Sequence, residues 1–187
     1  MKFCSDCGAV VSLRIPAGDS LPRYVCEHCG TIHYQNPKIV AGCIAVWGDH
    51  VLLCKRAIEP RYGLWTLPAG FMENGETTLE AAARETWEEA QARVDQLVLY
   101  GLFNLPHINQ VYIMFRGQLV GGQARPGSES LEVGLFREEQ IPWDQLAFPV
   151  VRESLALYFE DRRAGQFPTR FADVVRNPDH TVSIHRY

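Results

Sequence analysis

Features that would commit a chain to a membrane or to nucleic acid are missing from this sequence. No apolar run approaches the roughly 18 residues needed to span a bilayer, so no membrane partner is expected. The opening residues, MKFCSDCGAV, lack the apolar region of a secretory signal, and the corresponding expectation is a cytoplasmic protein. There is no surplus of basic residues. The 18 Lys and Arg stand against 22 Asp and Glu, a net charge of -4 that gives no global positive field for nucleic acid. Low-complexity tracts and internal repeats are also absent. What is present is a chain of 187 residues, 47% hydrophobic, enough for one core of ordinary size and a small appendage.

A disulfide pattern is missing too, although there are six cysteines. Cys4-x2-Cys7 and Cys26-x2-Cys29 form two knuckles separated by 18 residues, the spacing of a four-thiolate zinc site. Cys43 and Cys54 lie in apolar runs and read as inert buried thiols. Reduced thiols suit a cytosol-like compartment. Residues 1–34 therefore read as a zinc ribbon, with short strands over Val10–Ile15 and Arg23–Val25. So few residues cannot build a core, so Zn²⁺ must supply the folding energy. Lys2, Arg14 and Arg23 are matched by Asp6, Asp19 and Glu27, which favours a structural or dimer-forming role over nucleic-acid binding. A homodimer is the expected assembly. His28 and His33 lie near the knuckles, but four thiolates already complete a closed tetrahedron.

Gln35-Asn36-Pro37 is the expected boundary. Beyond it, Lys38–Trp47 and His50–Arg56 read as a β-hairpin turned by Gly48-Asp49. The informative stretch is Gly70–Ala92, GFMENGETTLEAAARETWEEAQA. A loop enters a run of good helix formers, with Thr77 or Thr78 to cap its start. Glu85, Glu88 and Glu89 stand at i, i+3 and i+4, so three carboxylates share one helical face. Such a face repels itself unless a cation sits there. Arg84 screens part of it. A hard divalent ion, Mg²⁺ or Mn²⁺, would do more, and Mg²⁺ usually works with one or two carboxylates plus substrate phosphates.

In this register Gly70, Glu76, Arg84, Glu85, Glu88 and Glu89 resemble the Nudix box, G-x5-E-x7-R-E-U-x-E-E-x-G-U, with U a bulky apolar residue. Thr86 departs from the apolar position, Gln91 from the glycine, and Ala92 is a small final residue. Gln91 must either adopt a strained left-handed cap or let the helix run on towards Arg93. The resemblance implies an α+β protein: an α/β/α sandwich with a mixed sheet, preceded by the small ribbon. It implies hydrolysis of a pyrophosphate link in a nucleotide substrate, with the carbonyl of Ala69 and the carboxylates of Glu85, Glu88 and Glu89 as Mg²⁺ or Mn²⁺ ligands. Glu88 is ligand or base; Arg84 orients Glu85 or Glu76. A further loop acid is expected from Glu129 or Glu132. Arg56, Trp65 and Phe71 are candidates for substrate contact, and Tyr112 is another aromatic a base could stack on. Trp65 reads either as a core aromatic or as a platform for a base.

Flanking matches, Tyr34–Lys38, Leu52–Arg56, Gly63–Gly70, Arg84–Ala90 and Glu129–Glu132, are similar to plastid-type FAD diphosphatases, so FAD is the first expected substrate. NADH or ADP-ribose is the alternative. The NADH diphosphatases of the superfamily carry a ribbon but also a Ser-Gln-Pro-Trp-Pro-Phe-Pro-x-Ser stretch, where this chain has Phe103–His107. A ligand-sensing or nucleic-acid-binding regulator without turnover is the reading from another class, and the intact acid set counts against it. Strands are expected over residues 93–103, 107–119 and 133–136, and a helix over 150–163 closes the 38–163 domain. Residues 164–187 are polar, contain Pro168 and Pro178, and read as a tail or a partner-covering arm.

Overall fold

The computed structural model describes residues 1–187, which fold as two units, Met1–Pro37 and Lys38–Tyr187. The first contains three short antiparallel strands, β1 (Val11–Arg14), β2 (Arg23–Cys26) and β3 (Ile32–His33). Its buried apolar side chains amount to Cys4, Val11 and Cys26 with Ala9 and Tyr24 against them. That is too little apolar surface to stabilise a fold unaided.

The second unit is built on one mixed sheet. Its strands are β4 (Lys38–Trp47), β5 (His50–Arg56), β6 (Trp65–Thr66), β7 (Ala69–Phe71), β8 (Val94–Leu105), β9 (Gln110–Leu119), β10 (Ser130–Phe136), β11 (Arg170–Arg176) and β12 (Val182–Arg186). The order is β10-β5-β4-β9-β8-β11-β12, with β6 on β5 and β7 on β4. β4 runs parallel to β9, and β8 parallel to β11; the other pairings are antiparallel. Two helices cover opposite faces, α1 (Thr78–Ala90) and α2 (Pro149–Ala164).

β4 explains the layering. Its apolar run is buried on both sides, as for a strand sandwiched between helices. Ala41, Cys43 and Ala45 alternate towards the α1 side, where Ala81, Ala82 and Ala90 allow close approach. Ile44 and Val46 face the other way, into a larger core with Tyr100, Phe103 and Met114 and with Val151, Leu155 and Phe159 of α2. This is the expected α/β/α sandwich. Cys43 and Cys54 are buried thiols, as expected. No helix is long and apolar enough to cross a membrane.

The stretch 164–187 is not a tail. β11 joins the sheet beside β8, and β12 returns against it. The reason lies in charges that local polarity concealed. Buried Asp161 accepts from Tyr100 Oη at 2.7 Å and from Arg170 Nε at 2.9 Å, and a second Arg170 nitrogen also reaches it. Arg186 Nε reaches buried Glu153 at 2.6 Å. Both acids lie on α2, so the final hairpin is latched to that helix.

Burial raises the Asp161 carboxyl, but hydrogen bonds from Arg170 and Tyr100 and the Arg170 charge outweigh it, and the net pKa lies below the usual value. Stability from this group is therefore complete above about pH 4 and is lost as pH falls through the depressed folded value. Asp161→Ala leaves Arg170 and Tyr100 without their acceptor and is expected to cost about 3 kcal/mol at neutral pH. Urea unfolding measures this; the gap between variant and wild type should narrow in acid.

Candidate functional site

The acid-bearing helix begins with a capping box. The Thr77 side chain accepts from the Glu80 N–H, and the Glu80 carboxylate accepts from the Thr77 N–H at 2.7 Å. It ends at Gln91 in the left-handed conformation, φ 46° and ψ 32°, with its N–H donating to the Trp87 carbonyl. Of the two outcomes open for Gln91, the strained cap is the one taken. Thr86, in place of an apolar residue, buries its hydroxyl by donating to the Ala82 carbonyl at 2.7 Å.

Arg84 is the hub. Its Nε and Nη2 hold Glu76 at 3.0 and 2.8 Å, a bidentate pair. Nη1 donates to Glu85 at 2.7 Å and to Glu88 at 2.9 Å, and Nη2 also reaches the Phe71 carbonyl at 3.1 Å. Arg84 and the Glu73 N–H together hold the Glu76 carboxyl down to about pKa 2. Glu88 is half exposed and turned to Arg84, while Glu85 and Glu89 are buried.

Glu89 is the group that Arg84 does not reach. Its Oε2 is buried and has no hydrogen-bond partner. Burial, the Glu85 charge and the Glu129 charge push its pKa up to about 8, against the Ala69 N–H and the Arg56 charge. Burial likewise raises Glu85, in spite of Arg84. Two buried acids crowded together, one with an orphan oxygen, make a donor set of hard oxygen atoms. That set fits a hard divalent cation and fits a soft metal poorly. Gly70 on β7 leaves room for it: a Cβ there would lie 2.3 Å from a Glu85 carboxylate oxygen.

The loop acids separate. Glu129 acts electrostatically on both Glu85 and Glu89. Glu132 instead pairs with Lys55 at 3.5 Å, beyond a register shift in β10. Gly127 sets this path and was not legible as functional from Pro126-Gly127 alone. Its N–H donates to the Glu89 carbonyl at 2.9 Å, and a Cβ would lie 1.7 Å from the Glu88 carbonyl oxygen.

Among the aromatic candidates, Trp65 is a core residue. It is 6% exposed, packs edge-on against Phe136 at 4.9 Å and has Lys55 Nζ 5.6 Å from its ring, so it is not an open platform for a base. Phe71 is 49% exposed, with Lys38 Nζ 4.9 Å from its ring. Arg56 donates to the Pro60 carbonyl at 3.0 Å and lies 5.2 Å over the Phe148 ring; its charge acts on Glu89 and Tyr112.

In the N-terminal unit, the Cys4, Cys7, Cys26 and Cys29 sulfurs lie within 4.8 Å of one another. Cys4–Cys29 are 3.7 Å apart and Cys7–Cys26 3.4 Å. A tetrahedron with metal–sulfur bonds of about 2.3 Å has edges of about 3.8 Å, so the set fits a four-thiolate ion. His33 Nε2 stands 3.3 Å from the Cys4 sulfur, as a neighbour of the thiolate set.

This geometry, an acid-lined helix beside a short glycine-bearing strand on a mixed sheet covered on both faces, is that of a Nudix fold, and the chain belongs to the Nudix hydrolase family. The NUDIX domain profile matches residues 36–158, and the zinc-ribbon profile described as Nudix N-terminal matches residues 2–35. The crystal structure of a NUDIX hydrolase from Nitrosomonas europaea is 56% identical, with a TM-score of 0.90, covering 94% of this chain and 99% of that one. The NAD-capped RNA hydrolase NudC of Chromobacterium violaceum is 31% identical over 75% of this chain and 52% of its own. That of Pseudomonas aeruginosa is 29% identical over 88% of this chain and 57% of its own. The chain thus spans about half the length of the curated relatives it matches.

Gly70→Ala presses a methyl group against the end of the Glu85 side chain and not against backbone, so the fold should survive while the donor set is displaced. Calorimetric titration with Mn²⁺ is expected to show about tenfold weaker binding, with the thermal midpoint of the ion-free protein shifted by only a few degrees.

Proposed function

We propose that the protein hydrolyses the pyrophosphate bond of a nucleoside diphosphate linked to another group, with Mg²⁺ or Mn²⁺. The observation that carries this reading is the buried, unpartnered Glu89 oxygen beside Glu85 and the Ala69 backbone. Glu85, Glu89 and the Ala69 carbonyl would hold the ion, with Glu129 able to add a donor. A divalent ion bound there neutralises phosphate oxygens and eases attack by water.

The protein's own groups have separable tasks. Arg84 stays protonated and orients Glu85 through Nη1, while its grip on Glu76 fixes the loop ahead of α1. Glu88, more exposed, is available to accept a proton if its bond to Arg84 is exchanged. Arg56 supplies positive charge that acts on Glu89 and suits a substrate phosphate. Phe71 and Tyr112 are the aromatic surfaces suited to a base.

FAD is the first substrate to try, on the flanking matches around Gly63–Gly70 and Arg84–Ala90. NAD(H), free or as an RNA cap, is the second, favoured by the names of the curated relatives. FAD, NADH and ADP-ribose share an adenosine diphosphate half, and a panel of the three with Mg²⁺ or Mn²⁺ ranks them. Glu89→Gln is expected to lower kcat by about 10²-fold or more on whichever is turned over. Wild-type rates in that variant would remove the site assignment.

The ion of the thiolate set is proposed to be Zn²⁺, with a structural role, and the assembly to be a homodimer. Metal analysis should give one zinc per chain. Cys26→Ser should lose it and unfold the N-terminal unit, seen as lost amide protection over residues 1–37, while 38–187 stays protected.

A further inference from the structure

We propose that a cavity at the head of α2 receives the nucleoside end of the substrate and binds a phosphate carried on that nucleoside, outside the bond that is cleaved. This rests on the pyrophosphatase reading of the carboxylate cluster and names what lies beyond it. The cavity measures about 500 Å³, in the range of small-molecule sites. Its walls include Arg61, Trp143, Phe148, Arg152, Val182 and Ile184.

Arg56 connects the cavity to the acids. On one side Arg56 pairs with Ser130 at the end of β5, and the next residue, Ala57, donates its N–H to the Glu129 carbonyl at 2.8 Å; on the other side its guanidinium covers the ring of Phe148, which is itself a wall of the cavity. A substrate whose diphosphate lay at Glu85 and Glu89 would pass Arg56 to place its next group here.

The walls have two characters. Trp143, Phe148, Val182 and Ile184 suit a base and its sugar. Arg61 and Arg152 do not serve a neutral nucleoside. Arg152 donates to the Trp143 carbonyl at 2.9 Å and spreads over that indole at 5.6 Å, so it is held in place without a carboxylate partner. Arg61 forms no ion pair, and its backbone sits at φ 71°, a conformation that costs an L residue energy. Asp144 is the single acid in the wall and pairs with neither arginine. The start of α2 lines the same space; Phe148 gives no side-chain cap, so the positive end of the helix adds to the field. Two guanidinium groups against one carboxylate leave a surplus that one phosphate would match.

The proposal also gives the C-terminal hairpin a task. Val182 and Ile184 belong to β12, beyond residue 158 where the NUDIX profile ends, and Arg186 latches that strand to Glu153 of α2. The phosphate could be the 2′-phosphate of a free dinucleotide or the 3′-phosphate of a nucleotide chain. The chemistry at the arginines is the same, and the probes tell the two apart.

The test is calorimetric binding of AMP, adenosine 2′,5′-bisphosphate and adenosine 3′,5′-bisphosphate to the full chain without divalent ions. One bisphosphate is expected to bind about tenfold or more tightly than AMP. Arg61→Ala and Arg152→Ala should each reduce that preference, with wild-type thermal unfolding as the folding control, and Arg61→Lys should retain part of it. Equal binding of all three probes, or a preference that survives both alanine variants, overturns the proposal. If the preference is present and arginine-dependent while no dinucleotide is hydrolysed, the cavity stands and the hydrolase reading falls. If hydrolysis proceeds without the preference, the reverse holds.

Discussion

One guanidinium decides how much negative charge this site can hold. Arg84 satisfies Glu76, Glu85 and Glu88 together, and ties them to the strand before α1 through the Phe71 carbonyl. Carboxylates at that spacing would otherwise push one another out of register. The compensation is incomplete, and the place where it runs out is specific. Glu89 is buried, raised to about 8 by burial first and by Glu85 next, and keeps an oxygen with no partner. The shortfall in positive charge is therefore localised beside Glu85 and Ala69, where an ion has something to correct.

The rest of the domain can be understood as holding that shortfall in place. β7 lies on β4 and brings Gly70 against Glu85 without a side chain in the way. The loop before β10 seals the end of α1, with Arg125 and Gly127 donating to the Ala90 and Glu89 carbonyls, and so delivers Glu129 towards the acids. Small residues on α1 let it sit close to the sheet, while α2 supplies the larger core on the far face. The C-terminal hairpin is fixed to α2 by buried acids whose partners lie far along the chain.

Much of this was legible in the residues themselves. The gapped register from Gly70 to Glu89 specified the helix, its hub arginine and its acid face, because period and charge act locally. The two cysteine knuckles were equally explicit. Three things were hidden. The fate of Trp65 depended on Phe136, far along the chain, and it went to the core. Glu129 and Glu132 were equivalent in sequence, and the fold separates them: Glu129, just before β10, acts on the acids, while Glu132, within β10, pairs with Lys55. Residues 164–187 looked polar because Arg170 and Arg186 find their carboxylates on α2, a long-range pairing that composition does not reveal.

The chemical consequence we propose for the acid cluster is that it grips hard cations against a diphosphate. Anomalous diffraction from crystals soaked in Mn²⁺ tests that most directly. The account predicts a peak bounded by the Glu85 and Glu89 carboxylates and the Ala69 carbonyl, lost in Glu89→Gln. Manganese bound only elsewhere, with Glu85 and Glu89 unmoved and bare, would contradict it.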